Sequence, residues 1–373
     1  MSGAIVTPPL LPRANPELIG HADAEAVLLR SSLSGRMPHA WLIGGPSGIG
    51  KATLAYRFAR FVLSGAATDA EGLFAGAPSN LHLDPEHPTF RRVRAAGHAD
   101  LLTVERPWHK DEEKKDEADR RRRVGELPVD QVRKIAPFLH LTAAEGGWRV
   151  VVVDEAETMS RSAANAILKV LEEPPPRSLL LLVANNPGAL LPTIRSRCRR
   201  LLLKPLPEAD VIAYLERHAP DLGETDRLGI ARLAEGSIGR AVALAQEGGL
   251  ELYRMLYGLL DNLPRLDITE VHRLGDQLAP ATAEQTYRTV VELLDWWLTR
   301  LIRSAAHGDM APEVVAGEAA LLQRLAGGRA ALDRWLEVWE KTHRLFDRAD
   351  SANLDRKQVV LQAFLSLEAA ARA

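Results

Sequence analysis

The sequence contains a single cysteine, Cys198, among its 373 residues. One thiol cannot form an internal disulfide, and it cannot make a zinc site that is built from cysteines. Aromatic residues make up only 5% of the chain, so its cores must consist mainly of alanine, leucine and valine. No apolar run reaches about 18 residues, which argues against a membrane-spanning helix. The N-terminal residues lack the pattern of a secretory signal, and we expect a cytoplasmic protein.

The chain also lacks an excess of charge of either sign. Its 47 basic and 49 acidic residues give a formal net charge of −2. Proteins that wrap duplex DNA usually carry a basic excess, so any DNA contact of this chain must be local or shared with partners. Hydrophobic residues at 46% and charged residues at 26% exclude a disordered chain. The length predicts about two or three domains.

The pattern of apolar residues differs between the two parts of the chain. Apolar runs without alternation predict strands at 40–43, 101–104, 149–154, 179–184 and 201–203. Apolar residues at helical spacing predict helices at 17–35, 53–63, 127–141 and 160–173. Strands that alternate with helices predict a three-layer α/β domain with a parallel sheet. After residue 207 the pattern is helical, and we expect the tryptophans at 296, 297, 335 and 339 to pack between helices.

One segment is almost entirely charged. Of the 14 residues at 110–123, 13 carry a charge. We interpret this run as a solvated insertion. A nucleic-acid contact through the four arginines at 120–123 is the alternative, although six interleaved acidic residues weaken their field.

A glycine-rich segment follows the first predicted strand. It consists of Gly45, Pro46, Ser47, Gly48, Ile49, Gly50 and Lys51. This segment fits the pattern G-x-x-x-x-G-K between a strand and a helix, the context that the motif requires. The backbone N–H groups of such a loop can wrap a phosphate, and Lys51 would reach the β- and γ-phosphates. We therefore expect the chain to be able to bind ATP or ADP.

The position after the lysine departs from the motif. A Ser or Thr hydroxyl normally ligates magnesium there, but this chain has Ala52. Thr53 comes one residue later, and one residue along a helix is a rotation of about 100°, so it should not replace the missing ligand. Magnesium is expected only together with a nucleotide, and magnesium-dependent turnover is in doubt.

Two carboxylates end the predicted strand at 149–154. Asp154 suits magnesium binding through water, and Glu155 suits the polarisation of an attacking water. The carboxyl edge of a parallel sheet is where α/β proteins bind ligands. Together with the upstream phosphate loop, the pair predicts a core of the phosphate-loop ATPase type.

Two further segments resemble those of one protein family. They read Asn-Ala-Ile-Leu-Lys-Val-Leu-Glu-Glu-Pro-Pro at 165–175 and Pro-Thr-Ile-Arg-Ser-Arg-Cys at 192–198. Both closely resemble segments of the bacterial DNA polymerase III clamp-loader subunits, which belong to the AAA+ ATPase superfamily. The Ser-Arg-Cys triplet, downstream of a helix that ends in Leu-Glu-Glu-Pro, is highly specific to that family. The resemblance is clear over 15–250 and afterwards extends only to helical character.

The resemblance implies an architecture and a set of partners. It implies a RecA-like AAA+ core at 1–205 with the charged insertion at 108–124, a helical lid at 206–250 and an all-α collar at 251–373. The collar would join this chain to gamma/tau and delta subunits in a heteropentameric ring, which would act on the sliding clamp and primed DNA and on no membrane. Arg197 would be an arginine finger that reaches into the ATP site of a neighbour. A structural salt bridge is the alternative role for Arg197.

The resemblance also assigns nucleotide-sensing residues. Asn185, at the end of the strand that follows, would sense the γ-phosphate, with Asn186 as the alternative. In the lid, Gly-Ser-Ile-Gly-Arg resembles the second sensor. Motor subunits carry the arginine at the position of Gly239, whereas Arg240 of this chain comes one position later. Ile-Gly-His at 19–21 resembles the segment that borders the adenine in relatives.

The zinc module of the family has no cysteines here. The corresponding region between the phosphate loop and the second strand contains His82, Asp84, His87 and His98. A histidine–carboxylate zinc site is an alternative, but solvent-exposed histidines are commoner, and we expect no zinc.

Among clamp-loader subunits, the resemblance is to the delta-prime family, whose members often have a degraded ATP site. Ala52, Gly239 and the lack of a tau-like tail favour this assignment. We expect a subunit for DNA replication whose own ATPase activity is weak or absent and in which Glu155 is a vestigial base. The alternative is an ATP-hydrolysing gamma/tau-like motor or another AAA+ ATPase, which the intact Lys51, Asp154 and Glu155 favour. A scaffold that binds no nucleotide is the third hypothesis.

Overall fold

The computed structural model describes residues 10–66, 78–110, 112, 114, 123–145, 147–308, 312–327, 329–352 and 354–372. The chain divides into two compact units. The sheet unit comprises Pro8–Asp210 and Ser237–Gly239, and the helical unit includes Val211–Gly236 and Arg240–Ala373. The predicted domain boundaries after 205 and 250 stay predictions. Of the four arginines at 120–123, all but the last lie outside the described residues.

Five parallel strands form the sheet. They are β1 (Ala40–Gly44), β2 (Leu101–Val104), β3 (Arg149–Val153), β4 (Ser178–Ala184) and β5 (Arg199–Leu202). Their order across the sheet is β2-β3-β4-β1-β5. Because β1 pairs with β4 on one side and β5 on the other, the loop that follows β1 leaves the middle of the sheet edge. The predicted three-layer α/β core with a parallel sheet is confirmed.

Helices cover both faces of the sheet. They are α1 (Ala22–Leu33), α2 (Lys51–Leu63), α3 (Pro88–Arg94), α4 (Val129–Val132), α5 (Ile135–His140), α6 (Arg161–Glu172) and α7 (Pro192–Arg195). Successive strand residues point to opposite faces. Trp41 and Ile43 therefore join the core beneath α1 and α2, whereas Leu42 joins the core beneath α5 and α6. Every residue of β1, β3 and β4 is buried, which explains why these strands are apolar without alternation.

Two local predictions differ from the structure. The helix predicted at 127–141 is two short helices, α4 and α5, because Pro137 has no N–H and its ring clashes with a helical carbonyl four residues earlier, at Arg133. Helix α3 lies in the weakly patterned region at 64–100, for which no helix was predicted. It begins at Pro88 and is capped by His87, whose Nδ1 accepts a hydrogen bond from the Thr89 backbone N–H.

The described residues after 207 are helical, with no strand among them. The helices are α8 (Glu208–His218), α9 (Glu224–Ala234), α10 (Ile238–Glu247), α11 (Gly249–Asp261), α12 (Ile268–Leu278), α13 (Glu284–His307), α14 (Glu318–Ala326), α15 (Arg329–Ala352) and α16 (Arg356–Arg372). Trp296, Trp297 and Trp335 are buried as predicted, and the Trp339 indole donates to Asp295. None of the described helices has the length and hydropathy needed to cross a bilayer.

Leu182 and Leu202 offer a matched test of which sheet positions carry stability. Leu182 in β4 is fully buried, whereas Leu202 at the end of β5 is 65% exposed. Leu182→Ala should lower the free energy of unfolding by about 2–5 kcal/mol, because it leaves a cavity between sheet and helices. Leu202→Ala, the control, should change it by about 0.5 kcal/mol or less. Urea unfolding of both variants measures this, and equal losses would contradict the layer assignment.

Candidate functional site

Polar residues gather at the carboxyl edge of the sheet. The phosphate loop at 45–50 follows β1, Asp154 and Glu155 follow β3, and Asn185 follows β4. Parallel strands have their carboxyl ends at one edge, where α/β sheets bind ligands. The structure thus brings together the sequence-predicted residues of the phosphate loop, the carboxylate pair and the first sensor.

The backbone of the phosphate loop requires glycine at two positions. Gly45 has φ +146°, and a Cβ there would lie 2.5 Å from the carbonyl oxygen of Leu203. Gly50 has φ +104° and is the N-cap of α2. Between them, Pro46, Ser47 and Gly48 are exposed while Ile49 is buried. The loop therefore presents its outer backbone to solvent at a helix N-terminus, which suits a phosphate.

Lys51 is nearly buried, with 4% of its surface exposed. Its Nζ donates to the Pro46 carbonyl oxygen and, at 2.8 Å, to Oδ1 of Asn185. Burial lowers the pKa of Lys51, and the nearby carboxylates of Asp154, Glu157 and Glu155 counteract this shift. The ammonium is thus held at the centre of the site by the loop carbonyl and the predicted sensor amide.

The donor set for magnesium is incomplete. Burial, followed by the charge of Glu155, raises the pKa of Asp154 to about 6. Ala52 packs against the apolar core and offers no hydroxyl, and Thr53 occupies the next, half-buried helical position. The residues present therefore fit the phosphates of a nucleotide, but they lack one of the usual ligands of its magnesium ion.

Glu155 is paired with Arg106, a residue that belongs to none of the sequence motifs. Arg106 Nη2 lies 2.6 Å from Oε2 of Glu155, and Arg106 Nε donates to the same oxygen at 2.8 Å. Glu155 has φ +49°, in the left-handed region that non-glycine residues seldom adopt. Arg106 stands two positions after the end of β2. This position predicts that it lies at the carboxyl edge of the sheet, and it is the one sequence signal that could have indicated Arg106. The ion pair occupies the carboxylate that would polarise water.

The two lid positions around the predicted second sensor have different surroundings. The Gly239 N–H donates to the Gly48 carbonyl oxygen at 3.0 Å, and a Cβ at 239 would lie 3.0 Å from Gly48 Cα. Arg240, in the helical unit, lines a cavity of about 330 Å³ together with Glu235, Glu292 and Asp295. Burial raises the pKa of Glu292, and the positive charge of Arg240 counteracts it. The role of Arg240 as a nucleotide sensor stays a prediction.

Histidines of the sheet unit make backbone hydrogen bonds. His21, at the N-terminus of α1, lies with Nε2 2.8 Å from the Ile49 carbonyl oxygen, which connects the segment predicted to border the adenine to the phosphate loop. His87 caps α3, and the buried His98 accepts from the Asp100 backbone N–H. Within the described residues, no cluster of three or more histidine, cysteine, aspartate or glutamate side chains could hold a metal ion.

Arg197 lies on the short segment between α7 and β5. Its Nη2 lies 2.7 Å from Oε1 of Glu172, and its Nη1 donates to the Thr193 carbonyl oxygen at 2.9 Å. On either side, Ile194 and Cys198 are buried in the core. The guanidinium is therefore mounted on a fixed backbone, and about a third of the side chain remains exposed.

Comparison with known proteins identifies similar chains. A family model described as "DNA polymerase III, delta subunit" matches residues 20–207. The chain is 38% identical over 196 residues to the DNA polymerase III subunit delta' of Pseudomonas aeruginosa, and this covers 52% of each protein. It is 34% identical over 220 residues to the subunit delta' of Escherichia coli K12, covering 59% of this chain and 58% of that protein. The aligned part of the chain thus spans a little over half the length of these relatives.

Other similar proteins cover more of the chain at lower identity. The DNA polymerase III subunit tau of Escherichia coli K12 is 24% identical over 331 residues, covering 84% of this chain and 46% of that protein. A solved structure of a DNA polymerase III gamma subunit-related protein from Thermotoga maritima is 18% identical with a TM-score of 0.40. It covers 93% of this chain and 99% of that one.

The raised pKa of Asp154 predicts a stability that depends on pH. Between its ordinary value of 3.8 and about 6, the folded chain binds more protons than the unfolded one, so the free energy of unfolding falls as pH rises through this window. Asp154→Asn removes the buried charge and should raise the free energy of unfolding by about 1–3 kcal/mol at pH 8. The gain should shrink toward pH 4.

Urea unfolding at several pH values measures this gain. The control is Asp130→Asn, since the side chain of Asp130 is 83% exposed. A loss of stability at pH 8 in Asp154→Asn would contradict the electrostatic argument.

Proposed function

Because the chain belongs to the delta-prime family of DNA polymerase III subunits, we propose that it is a fixed, finger-donating member of the replicative clamp loader. In this proposal it occupies a heteropentameric ring with gamma/tau and delta subunits in the cytoplasm. The ring uses ATP to open the sliding clamp and to place it on primed DNA. The chain itself contributes a rigid surface and one catalytic group, Arg197.

The partly exposed side chain of Arg197 on a fixed backbone is the observation that carries the proposal. Its backbone is held by the buried Ile194 and Cys198, while about a third of its side chain remains exposed. A guanidinium is always charged and presents a planar set of donors that matches phosphate oxygens. Placed against the γ-phosphate of a neighbour's ATP, it would offset the charge that develops there during hydrolysis.

Three features support weak or absent ATP hydrolysis by the chain itself. Ala52 supplies no ligand for magnesium, and Arg106 pairs with Glu155. Gly239 stands where motor subunits have an arginine, and its backbone contacts the phosphate loop directly. The loop retains the glycines and Lys51. The chain is therefore proposed to bind ADP or ATP without hydrolysing ATP at a significant rate.

Replacing Arg197 by alanine tests the finger role. Arg197→Ala should leave assembly of the ring intact, because the side chain is partly exposed and its neighbours hold the backbone. The site that the finger serves should lose on the order of 10³-fold in turnover, so the ATPase rate of the whole ring should fall by the contribution of that site.

The measurement is steady-state ATP hydrolysis by the reconstituted ring with clamp and primed DNA. The control is Arg200→Ala, an exposed arginine three positions later on β5. A normal ATPase rate of the Arg197→Ala ring would contradict the finger role. Failure of the variant to assemble would contradict the expectation that assembly does not depend on the Arg197 side chain.

Nucleotide binding by the isolated chain separates the proposal from its two rivals. Titration calorimetry with ADP should show binding that Lys51→Ala weakens by about tenfold or more, because a charge-assisted contact to phosphate is lost. The exposed Lys134→Ala variant should bind as the wild type does. ATP hydrolysis by the wild type should not exceed that of Lys51→Ala.

The two rivals predict different results. Clear turnover that disappears in Lys51→Ala would establish an autonomous ATPase, the gamma/tau-like alternative. No binding of ADP by the wild type would establish a scaffold that takes no nucleotide.

A further inference from the structure

The proposed finger, Arg197, has a carboxylate partner in the segment 165–175, the first of the two segments that resemble the clamp-loader subunits. Glu172 is the last residue of α6, and its Oε1 lies 2.7 Å from Nη2 of Arg197. The two residues are 25 positions apart in the sequence, so only the fold brings them together. Both are accessible, with 50% of the Glu172 side chain and 34% of the Arg197 side chain exposed.

The backbone on both sides of this pair is fixed by the same core. Val170 and Leu171, just before Glu172, are buried in the cluster that also contains Ile194 and Cys198. Helix α6 ends at Glu172 because the prolines at 174–176 cannot continue it. The carboxylate therefore stands at a defined distance from the root of the Arg197 side chain, and the negative end of α6 adds to its attraction for the guanidinium.

The contact leaves most of the guanidinium available. Arginine has five N–H donors, of which Arg197 uses one toward Glu172 and one toward the Thr193 carbonyl oxygen. The other three have no partner among the described residues. Two parallel N–H groups suffice for bidentate recognition of a phosphate. The pair with Glu172 thus restricts the rotamers of Arg197 and leaves three of its five donors available.

We infer that Glu172 is the positioning residue of the arginine finger: its ion pair holds Arg197 in the orientation in which the finger meets the nucleotide of the adjacent subunit. This inference rests on the proposed finger role of Arg197. Glu172 touches no nucleotide itself and acts only through the guanidinium. A donor that is already oriented stabilises the transition state better than a mobile one, because its orientation does not have to be fixed at the moment of reaction.

The test uses the whole reconstituted ring with ATP, clamp and primed DNA. The finger-dependent turnover is defined as the rate of the wild-type ring minus the rate of the Arg197→Ala ring. Glu172→Gln should reduce this turnover by about two- to fivefold, the effect of losing one partly exposed ion pair. The KM for ATP and the melting temperature of the subunit should stay unchanged, because neither nucleotide binding nor the core is altered.

Two further variants make the result specific. Glu173→Gln is the matched control, since Glu173 is the next residue, is exposed, and is in no ion pair among the described residues. It should retain the full finger-dependent turnover. The double variant Glu172→Gln/Arg197→Ala should behave as Arg197→Ala alone, because a residue that acts only through the finger has no effect once the finger is gone.

The possible outcomes separate the two proposals. If the Arg197→Ala and wild-type rings have equal rates, the finger role itself is wrong. If the finger-dependent turnover exists but Glu172→Gln retains or increases it, the positioning role of Glu172 is overturned while the finger stands. An additional loss in the double variant, beyond that of Arg197→Ala, would likewise overturn it.

Discussion

The buried ammonium of Lys51 is the constraint around which the sheet edge is organised. A charge in that position is costly unless polar groups surround it. The loop supplies the Pro46 carbonyl oxygen, and Asn185, the residue after β4, supplies its side-chain oxygen. The carboxylates after β3 provide compensating charge at longer range. The strand order places the end of β4 next to β1 and the end of β3 one strand further away, so the topology of the sheet makes this compensation available.

The same edge combines the backbone geometry of a phosphate-binding loop with side chains that are poorly suited to hold magnesium or to polarise water. Asp154 has a raised pKa, Glu155 forms an ion pair with Arg106, and Ala52 has a methyl group where a metal ligand is usual. Each of these features lowers the ability to polarise water or to hold magnesium. None of them alters the glycine positions of the loop. Retained geometry with reduced reactivity is consistent with the proposed subunit, whose catalytic contribution would be made elsewhere, through Arg197.

The sequence was sufficient for the features that depend on local pattern. The strands could be predicted because their residues are apolar on both faces, and the phosphate loop because its spacing is strict. The break between α4 and α5 depends on Pro137 and could have been anticipated from the same rule that ends α6. The pairs Arg106–Glu155 and Arg197–Glu172 were out of reach, since they join residues 49 and 25 positions apart whose proximity is set by strand order and helix packing.

The burial of Ile194 and Cys198 limits how Arg197 can move. Because both residues belong to the core beneath the sheet, the root of Arg197 cannot shift by a loop motion of its own. Any change in the distance from this guanidinium to another molecule must come from displacement of the sheet unit as a whole, apart from rotation of the side chain. The position of this one positive charge therefore follows the orientation of the whole sheet unit.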